Sequence, residues 1–248
     1  MYFNDVHIMW YVLFAIIGGV VGQFVDYCNR CFLKEQKIFS KESFSKYRRI
    51  VLPNYLLIVA NSIGYIALIY KFEIHTELLE NLDLIKYMLL LPMLLCAFVV
   101  DLKEQIIPNR LNLLMFEIGL VAVFLHGFIN INMALNMFLG MIAGGGIFML
   151  ITLLGGLIAG KEAMGMGDVK LMGALGLYFG LQSIVAISVM AFLIGAIGSI
   201  VYMIVNRKNA NAYIPFGPFI VASSFITIFV PFSILFTILM ETFTLGMY

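Results

Sequence analysis

An all-α, polytopic membrane protein is the fold class this sequence predicts, as one membrane domain over residues 1–248, and three observations predict it. Of the 248 residues 62% are hydrophobic and only 12% charged, with a mean hydropathy of +1.02, where soluble domains run about 45–50% apolar and about 25% charged. The apolar residues fall into eight runs, and a membrane-crossing helix takes ~20 residues. Thirteen of the fifteen basic residues fall in, or at the edge of, alternate connections between those runs, the asymmetry that marks cytoplasmic loops. The net charge of +1 selects no partner, and no nucleic-acid role is expected.

The first run, Ile8–Tyr27, is expected to be a membrane anchor, because Met1–His7 has no basic leader region and no small-residue cleavage pattern follows. Within it Gly18 and Gly22 stand four apart, as do Gly140/Gly144, Gly156/Gly160 and Gly176/Gly180 later, so one helix face lacks side chains and a neighbour can approach closely. The connection 28–51 holds Arg30, Lys34, Lys37, Lys41, Lys46, Arg48 and Arg49. Three cysteines, an odd number, argue against a disulfide framework. The lone Cys28/Cys31 pair supplies two of the four ligands that structural zinc takes, so no metal or other cofactor is expected. Phe44, Tyr47 and Val51 recur at i, i+3 and i+7, the spacing of a short amphipathic helix on the membrane surface with its cations toward anionic headgroups. A solvated loop that only fixes topology is the other reading of this stretch.

The second and third runs, Leu52–Tyr70 and Leu84–Asp101, flank an acidic connection with Glu73, Glu77, Glu80 and Asp83, expected outside. The fourth, Leu111–Phe128, begins after Lys103 and Arg110 and carries Glu117, ~9 Å from its start, for a structural hydrogen bond or a substrate contact. The fifth, Met133–Ala159, contains Gly144-Gly145-Gly146, a packing face or a kink. The sixth, Val169–Gly180, rises only ~18 Å against a hydrocarbon core of about 30 Å and cannot span unaided. The seventh and eighth, Gln182–Asn206 and Tyr213–Met240, flank Arg207 and Lys208. Counting crossings puts both termini outside and Asp101 and Asp168 at the cytoplasmic face.

Those two aspartates carry the chemistry. A charge at a helix centre costs about 2.5–3.5 kcal/mol on the insertion scale, and a position near the interface lowers that cost without removing it. Asp101 closes the third run and precedes Ile107-Pro108-Asn109, where proline disfavours helix at the residue before it. Asp168 lies in Gly165-Met166-Gly167-Asp168-Val169-Lys170. There Gly165 and Gly167 are expected to supply backbone angles that other residues resist, Asp168 to cap the sixth helix, and Lys170 to point elsewhere. Two carboxyls meeting in a partly desolvated cleft share a proton; the ionised one can deprotonate water and the protonated one can protonate a carbonyl or leaving amine. Asp26, at the cytoplasmic end of the first run, reads as an interfacial charge or as an acid that helps receive a basic substrate. No HExxH or GxSxG motif offers a zinc or serine alternative.

These residues resemble the type IV prepilin peptidases, a branch of the GxGD aspartyl proteases. The resemblance covers nearly all of the chain: Gly22-Gln23-Phe24, Asp101 with Ile107-Pro108-Asn109, Gly165–Lys170, and Ile214-Pro215-Phe216-Gly217-Pro218-Phe219 opening the last run. It implies that Asp101 and Asp168 are the catalytic pair of a peptidase core over residues 84–248 facing the cytoplasm. Gly165, Gly167, Lys170, Pro108, Asn109, Pro215, Gly217 and Pro218 then shape the site. The implied substrate is a prepilin or pseudopilin, whose short basic leader precedes an apolar helix in the bilayer, and Glu104, Glu117, Glu162 and Asp26 are the acids that could contact it. Methylating relatives carry two zinc-binding CxxC pairs in the first cytoplasmic loop. The stretch 28–51 has only Cys28/Cys31, so the chain resembles the shorter, peptidase-centred members. An ion-coupled transporter is the rival class, but it places its carboxylates near the midplane of repeated halves, and no repeat is visible; a presenilin-type protease needs a Pro-Ala-Leu motif that is absent.

Overall fold

The computed structural model describes residues 2–3, 6–33, 45, 47, 54–75, 77, 79–159, 164–206 and 214–244. They form an all-α polytopic membrane protein, with one short antiparallel pairing of β1 (Tyr2–Phe3) and β2 (Val6–His7) ahead of the first helix. The helices are α1 (Ile8–Leu33), α2 (Tyr55–Phe72), α3 (Leu82–Glu104), α4 (Asn109–Ile129), α5 (Ile131–Ala159), α6 (Met166–Asn206), α7 (Gly217–Phe229) and α8 (Phe232–Thr244). Six of them are long and apolar enough to cross a membrane, and α7 with α8, bent by 119° at their junction, make a seventh if taken as one span. The chain divides into two compact units, Met1–Glu104 and Gln105–Tyr248, so a core drawn over 84–248 has its first helix, α3, in the first unit. Most of the basic stretch 28–51, including Phe44 and Val51, lies outside the described residues.

In the first unit α1 and α2 pack through glycine. A side chain on Gly18 would stand 2.8 Å from the Cα of Ser62, and one on Gly22 would stand 2.7 Å from the Leu57 carbonyl. The backbones therefore meet, and polar side chains bridge them: Asn61 Nδ2 donates to the Gly18 carbonyl at 2.8 Å and Ser62 Oγ to that of Ala15 at 2.9 Å. α3 carries Pro92 in its interior, which has no N–H for the carbonyl four residues back. That carbonyl belongs to Met88, and the buried Tyr65 hydroxyl of α2 donates to it at 2.9 Å. A gap in one helix is thus filled from its neighbour. At the other end of α3 the buried stripe Leu90, Leu94, Ala97 continues to Asp101.

The second unit is built around α6, which folds back on itself. Gly180 there has φ 74° and ψ 176°. A Cβ on Gly144 of α5 would touch both the Met172 carbonyl and the side chain of Ile184, residues that a continuous helix would hold ~18 Å apart. The sixth and seventh runs are therefore two arms of one helical hairpin, and the short arm of the sequence reading is residues 166–179. At the bend the Leu181 N–H donates to Asn136 Oδ1 at 3.3 Å. The first arm is buried nearly all round, through Leu171, Met172, Ala174, Leu175, Leu177 and Tyr178, as a helix apolar on every face must be. On one side Gly119 of α4 meets Leu177 and Tyr178, and the Tyr178 hydroxyl donates to the Met115 carbonyl at 2.8 Å. On the other, a Cβ on Gly176 would run into the Gly140 carbonyl. Gly144-Gly145-Gly146 does not interrupt α5, which is helical throughout, and nothing stands within 4 Å of a Cβ placed on Gly146.

Candidate active site

Asp168 stands in the first turn of the central arm of the second unit and is 6% exposed. The helix begins at Met166, two residues before Asp168, so the aspartate lies within the first turn and does not cap it. A carboxylate in that turn is favoured by the helix dipole. Its own N–H donates to the Gly165 carbonyl at 3.0 Å. The glycines differ from their expected use as well. Gly180 is the one glycine with positive φ among the described residues, so neither Gly165 nor Gly167 takes a left-handed angle. Gly167 is small for space: a Cβ there would stand 3.3 Å from that of Ile107 and 3.5 Å from the Ile107 backbone nitrogen and oxygen.

The start of α4 supplies the other side of this turn. Pro108 precedes the helix with φ −61° and ψ 131°, and its carbonyl accepts the N–H groups of Leu111 and Asn112 at 3.0 and 3.2 Å. Asn109 and Asn112, three apart and hence on one face, then reach across to the first turn of α6. Lys170 Nζ donates to Asn109 Oδ1 at 2.8 Å, and Asn112 Nδ2 donates to the Gly167 carbonyl at 3.0 Å. Pro108-Asn109 and Gly165–Lys170, far apart in the chain, thus form one seam, with Asp168 between its two rungs.

An apolar cluster lies at the same level. Gly140 lies against Gly176 and Gly144 against Met172, and this antiparallel register carries Phe148 to the level of Asp168. Phe148 is fully buried, and its ring stands 5.5 Å from that of Phe192 and 6.0 Å from that of Phe216. Phe216 belongs to the motif opening α7. Its carbonyl accepts the N–H groups of Phe219 and Ile220 at 3.0 and 3.3 Å, Pro218 stands in the first turn, and Gly217 and Pro218 are buried. Pro215 directly precedes Phe216 and is partly exposed. The motif seats an aromatic ring, and no polar group of it is needed for that.

In the first unit Asp101 is 4% exposed near the end of α3, and Leu102, Lys103, Glu104, Gln105 and Ile106 after it are all exposed. The chain turns away through Gln105 at φ 58°, in the left-handed region. Asp26 is also buried, and its Oδ2 accepts from Arg30 Nε at 3.1 Å and from the Tyr47 hydroxyl at 3.2 Å. Burial first, and then the Asp26 carboxylate, push the Tyr47 phenol up to about 12, so it stays a donor at neutral pH. Glu117 is exposed among the apolar residues Leu113, Leu114, Leu120 and Val121 of α4, on the face turned away from Asn112 and Gly119. Glu162 lies outside the described residues. Cys28, Cys31 and Cys96 are free thiols. No group of three His, Cys, Asp or Glu side chains that could hold a metal is found among the described residues.

Asn112 and the Phe148 cluster were not singled out from the sequence. A signal for Asn112 was present: it is a polar residue one turn after Asn109 in a run of apolar ones, and a buried amide needs a partner. Residues 88–200 match the Type IV leader peptidase family. Among curated relatives, the chain is similar to the prepilin leader peptidase/N-methyltransferase of Legionella pneumophila, 30% identical over 149 residues, 60% of this chain and 51% of that protein. The protein of the same description from Escherichia coli (strain K12) is 32% identical over 133 residues, 52% of this chain and 56% of its own length. That from Aeromonas hydrophila is 30% identical over 129 residues, 52% of this chain and 43% of its length. The chain thus spans about half the length of the curated relatives it matches. No solved structure matches.

Proposed function

We propose that this chain, whose residues 88–200 match the Type IV leader peptidase family, is a membrane aspartyl endopeptidase that removes the short basic leader of a prepilin or pseudopilin at the cytoplasmic face. The observation that carries this reading is Asp168, a carboxyl 6% exposed at the head of the buried first arm of α6 and flanked by two cross-helix hydrogen bonds. Apolar packing alone gives no reason to bury a carboxyl there, since a desolvated acid is costly. Asp101, 4% exposed beside a fully exposed turn, is the second carboxyl of the reaction.

Two carboxyls acting together hold one proton between them, because both cannot easily be charged at once. The ionised one accepts a proton from water as the water oxygen bonds to the scissile carbonyl carbon. The protonated one gives its proton to the carbonyl oxygen. Collapse of the tetrahedral adduct breaks the C–N bond, and a carboxyl returns a proton to the leaving amine. No metal or covalent nucleophile enters this sequence of steps.

The basic stretch 28–51 is the reduced counterpart of the loop linked to methyl transfer in longer relatives. A basic leader held at the cytoplasmic face meets the exposed Glu104 and, by its place in the sequence, Glu162. Purified chain in lipid, incubated with a prepilin and followed by mass spectrometry, tests the assignment. The expected products are a leader cut at the start of the apolar helix and a mature chain without an added methyl group, and Asp101→Asn or Asp168→Asn abolishes both. An uncut prepilin contradicts the peptidase reading, and a methylated product contradicts the peptidase-only form.

A further inference from the structure

Asn112 is an uncharged, buried polar side chain that reaches the Asp168 turn. It is 4% exposed, and the two ends of its amide are treated differently: Nδ2 donates to the Gly167 carbonyl at 3.0 Å, while Oδ1 is buried with no hydrogen-bond partner among the described residues. A bare buried amide oxygen costs roughly as much as the one good hydrogen bond contributes. Asn112 is therefore a poor device for stability. An apolar side chain of its size would fill the same space without leaving an acceptor bare.

What the bond does accomplish is local. The Gly167 carbonyl belongs to the planar peptide group that contains the nitrogen of Asp168 and ends at its Cα. Holding that oxygen fixes the plane from which the Asp168 side chain departs. Gly167 is the residue in this turn with the greatest backbone freedom, and Ile107 lies against it on one side, so Asn112 restrains it from the other. The Asn109–Lys170 contact, by comparison, is exposed and open to water.

We propose that Asn112 is a positioning residue for peptide hydrolysis: through the Gly167 carbonyl it sets the direction in which Asp168 presents its carboxyl. The inference rests on the assignment of Asp168 to that reaction. Asn112 acts through the backbone, and its unfilled oxygen is the cost of placing a donor there.

The test uses the full chain in lipid with a prepilin, comparing wild type, Asn112→Leu, Asn112→Asp and Asp168→Asn for kcat, KM and melting temperature. Asn112→Leu should melt within about 2 °C of wild type or higher, with kcat down at least about tenfold and KM within about twofold. Asn112→Asp should lose kcat where the new carboxyl is ionised and cannot donate. It should regain kcat relative to wild type as pH falls and that carboxyl gains a proton. A wild-type kcat in Asn112→Leu overturns the proposal, and so does a loss that only follows the amount of folded protein. If Asn112→Leu does not fold, the pH ratio of Asn112→Asp decides: a flat ratio overturns the proposal. Failure of the hydrolysis assignment looks different, with wild type leaving the prepilin uncut or Asp168→Asn cutting it fully.

Discussion

A carboxylate near the end of a membrane helix is either a reagent or a tether, and its partners decide which. Asp26 has an arginine one turn away and the Tyr47 phenol, both on Oδ2. Such a carboxylate ties residue 47 to α1, and Arg30 already balances its charge. Tyr47→Phe should lower the stability of the first unit by about 1 kcal/mol and leave kcat for leader removal unchanged, as thermal melts and the cleavage assay would read. The tie holds across neutral pH. With the phenol raised to about 12 from an ordinary 10, its contribution is complete below pH 10 and lost as pH rises through about 12. Asp26 reads in the sequence as an interfacial charge or a substrate acid, which leaves out its pairing with Arg30 at the i,i+4 spacing of a helix pair. Tyr47 had no local signal, because nothing ties residue 47 to residue 26 in the sequence. Asp101 and Asp168 were legible for a different reason: acids in apolar runs are rare because they are costly.

The helices were legible because a crossing needs a long apolar run: the first five runs each hold one helix, the sixth and seventh are the two arms of α6, and the eighth is broken into α7 and α8. How they pack was only partly so. Glycines four apart announced close approach, and Gly140 and Gly176 do meet backbone to backbone. Gly146 belongs to the conspicuous triple glycine and meets nothing. Gly176→Ala should therefore destabilise the second unit by about 3 kcal/mol through overpacking. Gly146→Ala should be neutral or stabilise by about 0.5–1 kcal/mol, since alanine is the better helix former; melts of both variants in detergent read the contrast. The repair of α3 by Tyr65 was not legible, because a missing N–H at Pro92 does not reveal which residue replaces it. Tyr65→Phe should cost about 1–3 kcal/mol by leaving the Met88 carbonyl bare. The cost should shrink in a Pro92→Ala background, where alanine restores the donor, and a double-mutant cycle measures that coupling.

For the chain as a whole, charge distribution and hydropathy were enough to read a polytopic membrane protein, because lipid imposes one rule on every crossing. The division at Glu104/Gln105 was not readable, since the apolar runs on either side of it are alike in composition. It matters for the proposed reaction, because Asp101 belongs to one unit and Asp168 to the other. Both carboxyls are buried, and a two-aspartate mechanism requires both. The rate of leader removal by wild type, Asp101→Asn, Asp168→Asn and the double variant in one lipid preparation tests that requirement directly. Each single variant should fall to background and the double no further, as groups that act as a unit do. Cleavage at the wild-type rate by either single variant would contradict it.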